Sequence, residues 1–161
     1  MTQNPSDQDP TPRSSSTLAR TAFRWLLLLL WAMWWGGLSF YAIVVVPIGT
    51  EVVGTVEQGF ITQRVTWWHN AIAGLFLAYL TVEAFRKRSR WLFSAAFALL
   101  ILIATLASWH AHLTGLMNFA EHTVSGDFYP AHAVYLWLTA LEWGLGLVIP
   151  VWLFRECRSE P

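Results

Sequence analysis

The chain has 161 residues, of which 55% are hydrophobic and only 12% charged, about half of the roughly 25% charge that an average soluble domain carries. Ten Lys and Arg balance ten Asp and Glu, so the formal net charge is zero; the basic excess that phosphate binding needs is missing, and nucleic acid is excluded as a partner. The single cysteine, Cys157, excludes a disulfide within one chain and any cysteine-based metal site. The apolar residues fall in four blocks, and the chain reads as an integral membrane protein.

Residues 1–20 carry Pro5, Pro10, Pro12 and the run Ser14-Ser15-Ser16 with almost no apolar side chains. Such a stretch buries too little surface to order itself, which predicts a disordered tail. A bilayer core of about 30 Å asks for about 20 apolar residues. From Trp25 to Thr50 no residue is charged, which predicts a first span over about 23–47, ended by Pro47. This block is longer than the apolar region of a cleaved secretory signal, so the first span reads as an uncleaved anchor. Val65 to Val82 is again free of charge and predicts a second span over about 65–85. Trp91 to Ala120 holds no Asp, Glu, Lys or Arg; its apolar part predicts a third span over about 91–112. The fourth, over about 131–154, contains one charge, Glu142, and leaves a short tail at 158–161. The expected fold is therefore all-α: a membrane four-helix bundle over 21–157.

Four spans put both termini and the 86–90 loop on one side. That side holds Arg13, Arg20, Arg24, Arg86, Lys87, Arg88, Arg90, Arg155 and Arg158, whereas the other holds only Arg64. Basic residues near span ends stay cytoplasmic, so both termini are expected inside. The chain's zero net charge is then a sum of opposites, because Glu51, Glu57, Glu121 and Asp127 make the outer side acidic. The same topology carries all five histidines to the outer surface. His69 lies near the start of span two, His110 and His112 at the end of span three, His122 in the second outer loop, and His132 at the start of span four.

Neutral imidazole is a common metal ligand and an axial ligand for haem. His110 and His112 cannot chelate together from one helix, because positions two apart do not share a face. On span four, His132, Tyr135, Thr139, Glu142 and Gly146 follow 3-4-3-4 spacing and form one stripe. On span three, Thr105, Ser108 and His112 make a shorter stripe. Facing inward, the two would define a polar funnel leading to Glu142. Ten residues below His132, or roughly 15 Å at helical rise, Glu142 sits near mid-bilayer, where an acid costs about 3 kcal/mol. Its functional reading is a proton-path, metal or substrate group; its structural reading is a satisfied hydrogen bond to Thr139-like hydroxyls or Asn70. The eleven tryptophans read as interfacial anchors. Gly36-Gly37, Gly74 and the pair Gly144 and Gly146 read as sites of close helix approach.

The segment Trp34-Trp35-Gly36-Gly37-Leu38-Ser39-Phe40-Tyr41, running on to Pro47, resembles the first-helix W-x-G-G-x-x-F pattern of small bacterial membrane proteins of the copper-resistance D type and their four-helix relatives. The resemblance covers about 25 residues and implies metal or haem handling by histidines. The first span here has no histidine, so no ligand is carried over. The expected function is binding of a metal ion or haem at the outer face of an inner-membrane protein, with His69, His112 and His132 as ligands. Tyr135, Thr139 and Glu142 would line a proton path or support the ligands, and His110 and His122 are further candidates. No spacing matches a zinc signature such as HExxH, and nothing spells out catalysis. The alternatives are a scaffold or assembly subunit that packs partner helices or a second copy without a cofactor, and a small proton-coupled carrier using Glu142. The acidic outer face makes a cation the first partner to test.

Overall fold

The computed structural model describes the backbone of residues 13–158 and the side chains of residues 18–151. Residues 1–12 of the expected N-terminal tail and 159–161 of the C-terminal one lie outside the described residues. Arg13 to Arg20, within the expected tail, are helical. Helix makes up 89% of the structure, in four long helices.

The first helix is one rod built of α and π turns. It runs Arg13–Trp31, widens into a π turn at Ala32–Gly36, returns to α over Gly37–Phe40, widens again at Tyr41–Val45 and closes as Val46–Val53. The expected stop at Pro47 is corrected: the helix passes through it. Pro47 falls in the first turn of the α segment that restarts after the second π turn, where a missing N–H is best tolerated. Gly54 makes the break, with φ of +91°, a conformation that favours glycine.

The second helix, Thr55–Lys87, begins ten residues before its expected start and crosses Arg64. Arg88 in the left-handed region and Ser89, whose hydroxyl accepts from Leu92 N at 3.4 Å, turn the chain into the third helix, Arg90–Gly115. A two-residue antiparallel hairpin, Met117–Asn118 with Thr123–Val124, leads to the fourth helix, Phe128–Arg158, which carries Pro150 inside it.

Contacts fix the helices as antiparallel neighbours. Phe23 meets Tyr79 and Trp34 meets Phe76, joining the first and second helices. Trp109 reaches Ala131 and His110 faces Tyr135, joining the third and fourth. The N-terminal part of the first helix and the 86–90 turn therefore share one end, where the Arg86 guanidinium lies 4.8 Å over the Phe23 ring. Glu83, buried, pairs with Arg86 and Lys87 at 3.5 and 3.8 Å, as its spacing predicts.

Packing is uneven along the bundle. The buried apolar cluster of Leu27, Trp34, Ala73, Phe76, Leu80, Ala84, Leu92, Ala95, Ala96, Leu99 and Ile149 fills the half nearer the 86–90 turn. Among the described residues beyond the level of Trp34 and Phe76, the buried side chains outside that cluster are Gln58, Leu106 and Leu113. The third helix turns its Leu92, Ala95, Leu99, Leu106 and Leu113 face inward, leaving Thr105, Ser108 and His112 exposed.

Three helical segments are long and apolar enough to cross a membrane: Leu18–Val53, Arg90–Gly115 and Phe128–Val151. In the most apolar stretch of the first, only 6% is buried, so Trp25, Leu29, Phe40 and Ile43 are left uncovered. The second helix is not among the three. Thr66, Trp67, Trp68, His69 and Asn70 dilute its apolar run, and Glu57, Arg64, Glu83 and Arg86 crowd its flanks.

Candidate functional site

Tryptophan side chains join the first helix to the fourth. Trp31 Nε1 donates to Gly146 O at 2.8 Å, Trp35 Nε1 to Trp143 O at 3.0 Å, and Trp34 Nε1 to Glu142 Oε1 at 3.1 Å. In return, Trp143 Nε1 donates to Ser39 Oγ at 2.8 Å. The rings of Trp31, Trp35 and Trp143 stack in series with centroids 5.6 and 5.3 Å apart. Four of the eleven tryptophans thus lie in a seam between helices. Composition alone hid this, because an indole suits the membrane interface and a buried hydrogen bond equally well.

The seam explains one glycine and removes the reading from others. A side chain at Gly146 would run into the Trp35 indole, so its absence admits that ring. Gly36, Gly37, Gly74 and Gly144 meet no other part of the described residues within 4 Å of where a Cβ would stand, their own helix backbone aside, so among the described residues they are not points of close approach. Gly49, unremarked in the sequence, faces the buried Gln58 amide. Gln58 Nε2 in turn donates to Tyr41 Oη at 3.1 Å, and Tyr41 shares a 3.0 Å hydrogen bond with Thr62. That knot holds the first two helices at the end away from the 86–90 turn.

Between the seam and the knot lies a cavity of about 460 Å³, within the range of small-molecule sites. The first helix contributes Met33, Gly37, Phe40 and Tyr41, and the second Thr66, Trp68, His69 and Asn70. From the fourth come His132, Tyr135, Thr139 and Glu142, which are the expected stripe. These four are buried or half-buried, while Ala133, Val134, Leu136 and Trp137 between them are exposed. A smaller cavity of about 180 Å³ adjoins it through His132, Tyr135, Thr62 and Thr66, and is lined in addition by His110 and Thr114.

Two polar groups stand out. Glu142 is 2% exposed and its partner Trp34 fully buried; the carboxylate is satisfied from the neighbouring helix by an indole rather than by Thr139 or Asn70. His69 lines the cavity, and its Nε2 is buried with no hydrogen-bond partner among the described residues. Buried polar atoms are nearly always paired, so this nitrogen is an exception among the described residues.

Of the other histidines, His132 lines both cavities and His110 the smaller one, while His112 and His122 line neither. His132 stacks on Phe128 at 5.4 Å, and His110 sits 6.2 Å from the Tyr135 ring. His112 is exposed and packs edge-on against Trp109 at 5.7 Å, away from both cavities. His122 Nδ1 lies 2.7 Å from Glu57 Oε1 in an exposed pair, tying the hairpin to the start of the second helix. The expected second wall of the funnel is corrected as well. Thr105 and Ser108 point outward and bond back to Ile101 O at 2.8 Å and Ala104 O at 2.9 Å, so they have no need of the interior.

No family model, curated protein or solved structure matches this chain. The site must therefore be judged on its own donor set. Among the described residues no three His, Cys, Asp or Glu side chains come together as metal ligands. A metal ion does not fit this arrangement. A haem asks for less, since one axial imidazole can hold its iron, and His69 and His132 both line the larger cavity.

Proposed function

We propose that this chain is a four-span inner-membrane protein that holds a lipid-soluble small molecule in the cleft between its first, second and fourth helices. The termini and the 86–90 loop lie on the cytoplasmic side, and the loop of residues 116–127 lies outside. The count of basic residues supports this orientation, with nine at the cytoplasmic end and Arg64 alone at the other. Three sufficiently apolar helices support insertion. The second, paired to the third through a two-residue turn, spans as the other member of that hairpin.

The cavity of about 460 Å³ carries the reading. Apolar walls with a few converging polar groups are the ordinary make-up of a ligand pocket. Met33, Phe40, Trp68 and Leu136 on its lining are all exposed apolar side chains, so the mouth faces acyl chains rather than water and a ligand enters from the bilayer.

Gly37→Leu tests it. Gly37 lines the cavity and has open space at its Cβ among the described residues, so a leucine there extends its side chain into the cleft. Organic extracts of the protein purified in nanodiscs are compared by mass spectrometry. A lipid-soluble compound held by the unmodified chain and lost from Gly37→Leu, at equal helix content, is the expected result. Identical extracts would count against the proposal.

Haem is the second reading, favoured by the orphaned His69 Nε2. A Soret band in the purified protein that disappears in His69→Phe would establish it. Its absence after loading with haem would remove it.

A further inference from the structure

The connection between the third and fourth helices sits directly beside the smaller cavity. We infer that the hairpin of residues 116–127 is a flap over that cavity, and that its opening gives the cavity pair an entrance at the loop end of the bundle. This goes beyond the reading of the larger cavity as a site for a lipid-soluble ligand and does not depend on it.

The register of the hairpin gives it two unlike faces. Residues directly opposite each other on paired strands project to the same side. Met117 pairs with Val124, and Asn118 with Thr123. Met117 and Val124 are half-buried, while Asn118 and Thr123 are exposed. The underside is therefore apolar and rests on the bundle, and the upper side is polar. Met117 reaches the site: it lines the smaller cavity, and its Cε lies 3.9 Å from where a Cβ on Gly59 would stand.

The hairpin holds together better than it holds to the bundle. Ser125 N donates to Leu116 O at 3.0 Å across its base. At its tip, Asn118 Oδ1 accepts from Ala120 N and Glu121 N at 3.1 and 3.2 Å. A clasp ties that tip to the second helix. It consists of the Glu57 and His122 pair and of Phe60, whose ring meets those of Phe119 and His122. From Asn118 to Asp127 every residue except Val124 is exposed. Few buried contacts mark a segment that opens at low cost. Gly115 and Gly126 flank the hairpin, and neither meets another part of the described residues within 4 Å of where a Cβ would stand. Both ends can thus take up the backbone rotation that hinging requires.

The test uses the full chain with Cys157→Ser in nanodiscs, where both faces are reachable and orientation has no bearing. Gly59→Cys places a thiol on the cavity wall beneath Met117. Ser125→Cys is the exposed reference, and Ala95→Cys, in the buried cluster, reports unfolding. The rate of reaction with a charged methanethiosulfonate is measured for each. Gly59→Cys should react more slowly than Ser125→Cys. Phe60→Ala or His122→Ala should speed it about fivefold, the scale of an exposed ion pair or a ring contact, with Ala95→Cys protected throughout. Gly59→Cys reacting as fast as Ser125→Cys with the clasp intact overturns the inference, because nothing then covers the cavity. A rate unchanged in both clasp variants overturns it as well. If Phe60→Ala makes Ala95→Cys reactive, His122→Ala decides, since its side chain is more than half exposed. None of these rates depends on whether Gly37→Leu alters the organic extract, so the flap and the cleft reading fail separately.

Discussion

Trp34 donates its indole N–H to Glu142 Oε1 at 3.1 Å across 108 residues of sequence, with both side chains buried. The pair settles why the one charge within 131–154 of the fourth helix is compatible with packing: the acid has a donor from the first helix, and the donor's ring is stacked on Phe76 at 5.1 Å. Trp34→Phe keeps most of the ring and removes the donor. The carboxyl oxygen it leaves unpaired should cost about 1–3 kcal/mol, read as a lower midpoint of thermal unfolding in detergent. Trp34→Phe combined with Glu142→Leu removes both partners and should recover much of that loss. An unchanged midpoint for Trp34→Phe would show that the bond carries no stability.

The glycines should separate cleanly. Gly146→Ala drives a methyl group into the Trp35 indole, which is itself held by Trp143 O and by stacking. Overpacking of that kind costs about 1–3 kcal/mol. Gly144→Ala meets no neighbour and gains up to about 1 kcal/mol of helix propensity. Size-exclusion profiles after a heat step give the ranking, with Gly146→Ala lost first and Gly144→Ala last. Equal behaviour of the two would mean that the seam tolerates displacement.

Where the sequence spoke clearly, one period and one chemistry coincided. The fourth-helix stripe from His132 to Gly146 was legible because a single helical spacing collects every polar residue on one face. The third-helix stripe followed the same arithmetic and pointed the wrong way. Thr and Ser can bond to the carbonyl four residues back, so a polar stripe of hydroxyls does not demand an interior. The partner of Glu142 was hidden for a different reason: an indole satisfies it, and a tryptophan in an apolar run gives no sign of which neighbour it will meet. The two π turns, which set the phase of the first helix, leave no periodic trace over five residues each. The cavity follows from how the first, second and fourth helices pack, which no single stretch of sequence spells out.

The hairpin tether offers a test of scale. Glu57 and His122 are paired at 2.7 Å with side chains 45% and 59% exposed, and exposed pairs contribute about 0.2–1 kcal/mol. Phe60 packs against both Phe119 and His122, with centroids 4.9 and 5.3 Å away. Glu57→Gln should therefore loosen the 116–127 loop slightly, and Phe60→Ala considerably more. Limited proteolysis orders them: cleavage in the loop should rise little for Glu57→Gln, and several times further for Phe60→Ala. Added salt should speed cleavage of the unmodified chain only slightly, because screening removes only the ionic part. The reverse order would make the ion pair the main clamp.

Whether the second helix crosses the bilayer decides the topology, and cysteine accessibility can answer it. In a Cys157→Ser background, single cysteines are placed at Glu51, Arg90 and Ser125, all exposed. Glu51 and Arg90 lie on either side of the second helix, and Arg90 and Ser125 on either side of the third. If the second helix spans, a membrane-impermeant maleimide added to cells with an opened outer envelope should label Glu51→Cys and Ser125→Cys. Arg90→Cys should react only after the inner membrane is permeabilised. If the second helix lies along one side instead, Glu51→Cys and Arg90→Cys must behave alike and Ser125→Cys differently. The nine basic residues at the Arg90 end predict the first pattern, since carrying them across would oppose their retention in the cytoplasm. Reaction of Arg90→Cys in unpermeabilised cells with Glu51→Cys and Ser125→Cys both protected would reverse the orientation and move the mouth of the cleft towards the cytoplasmic leaflet.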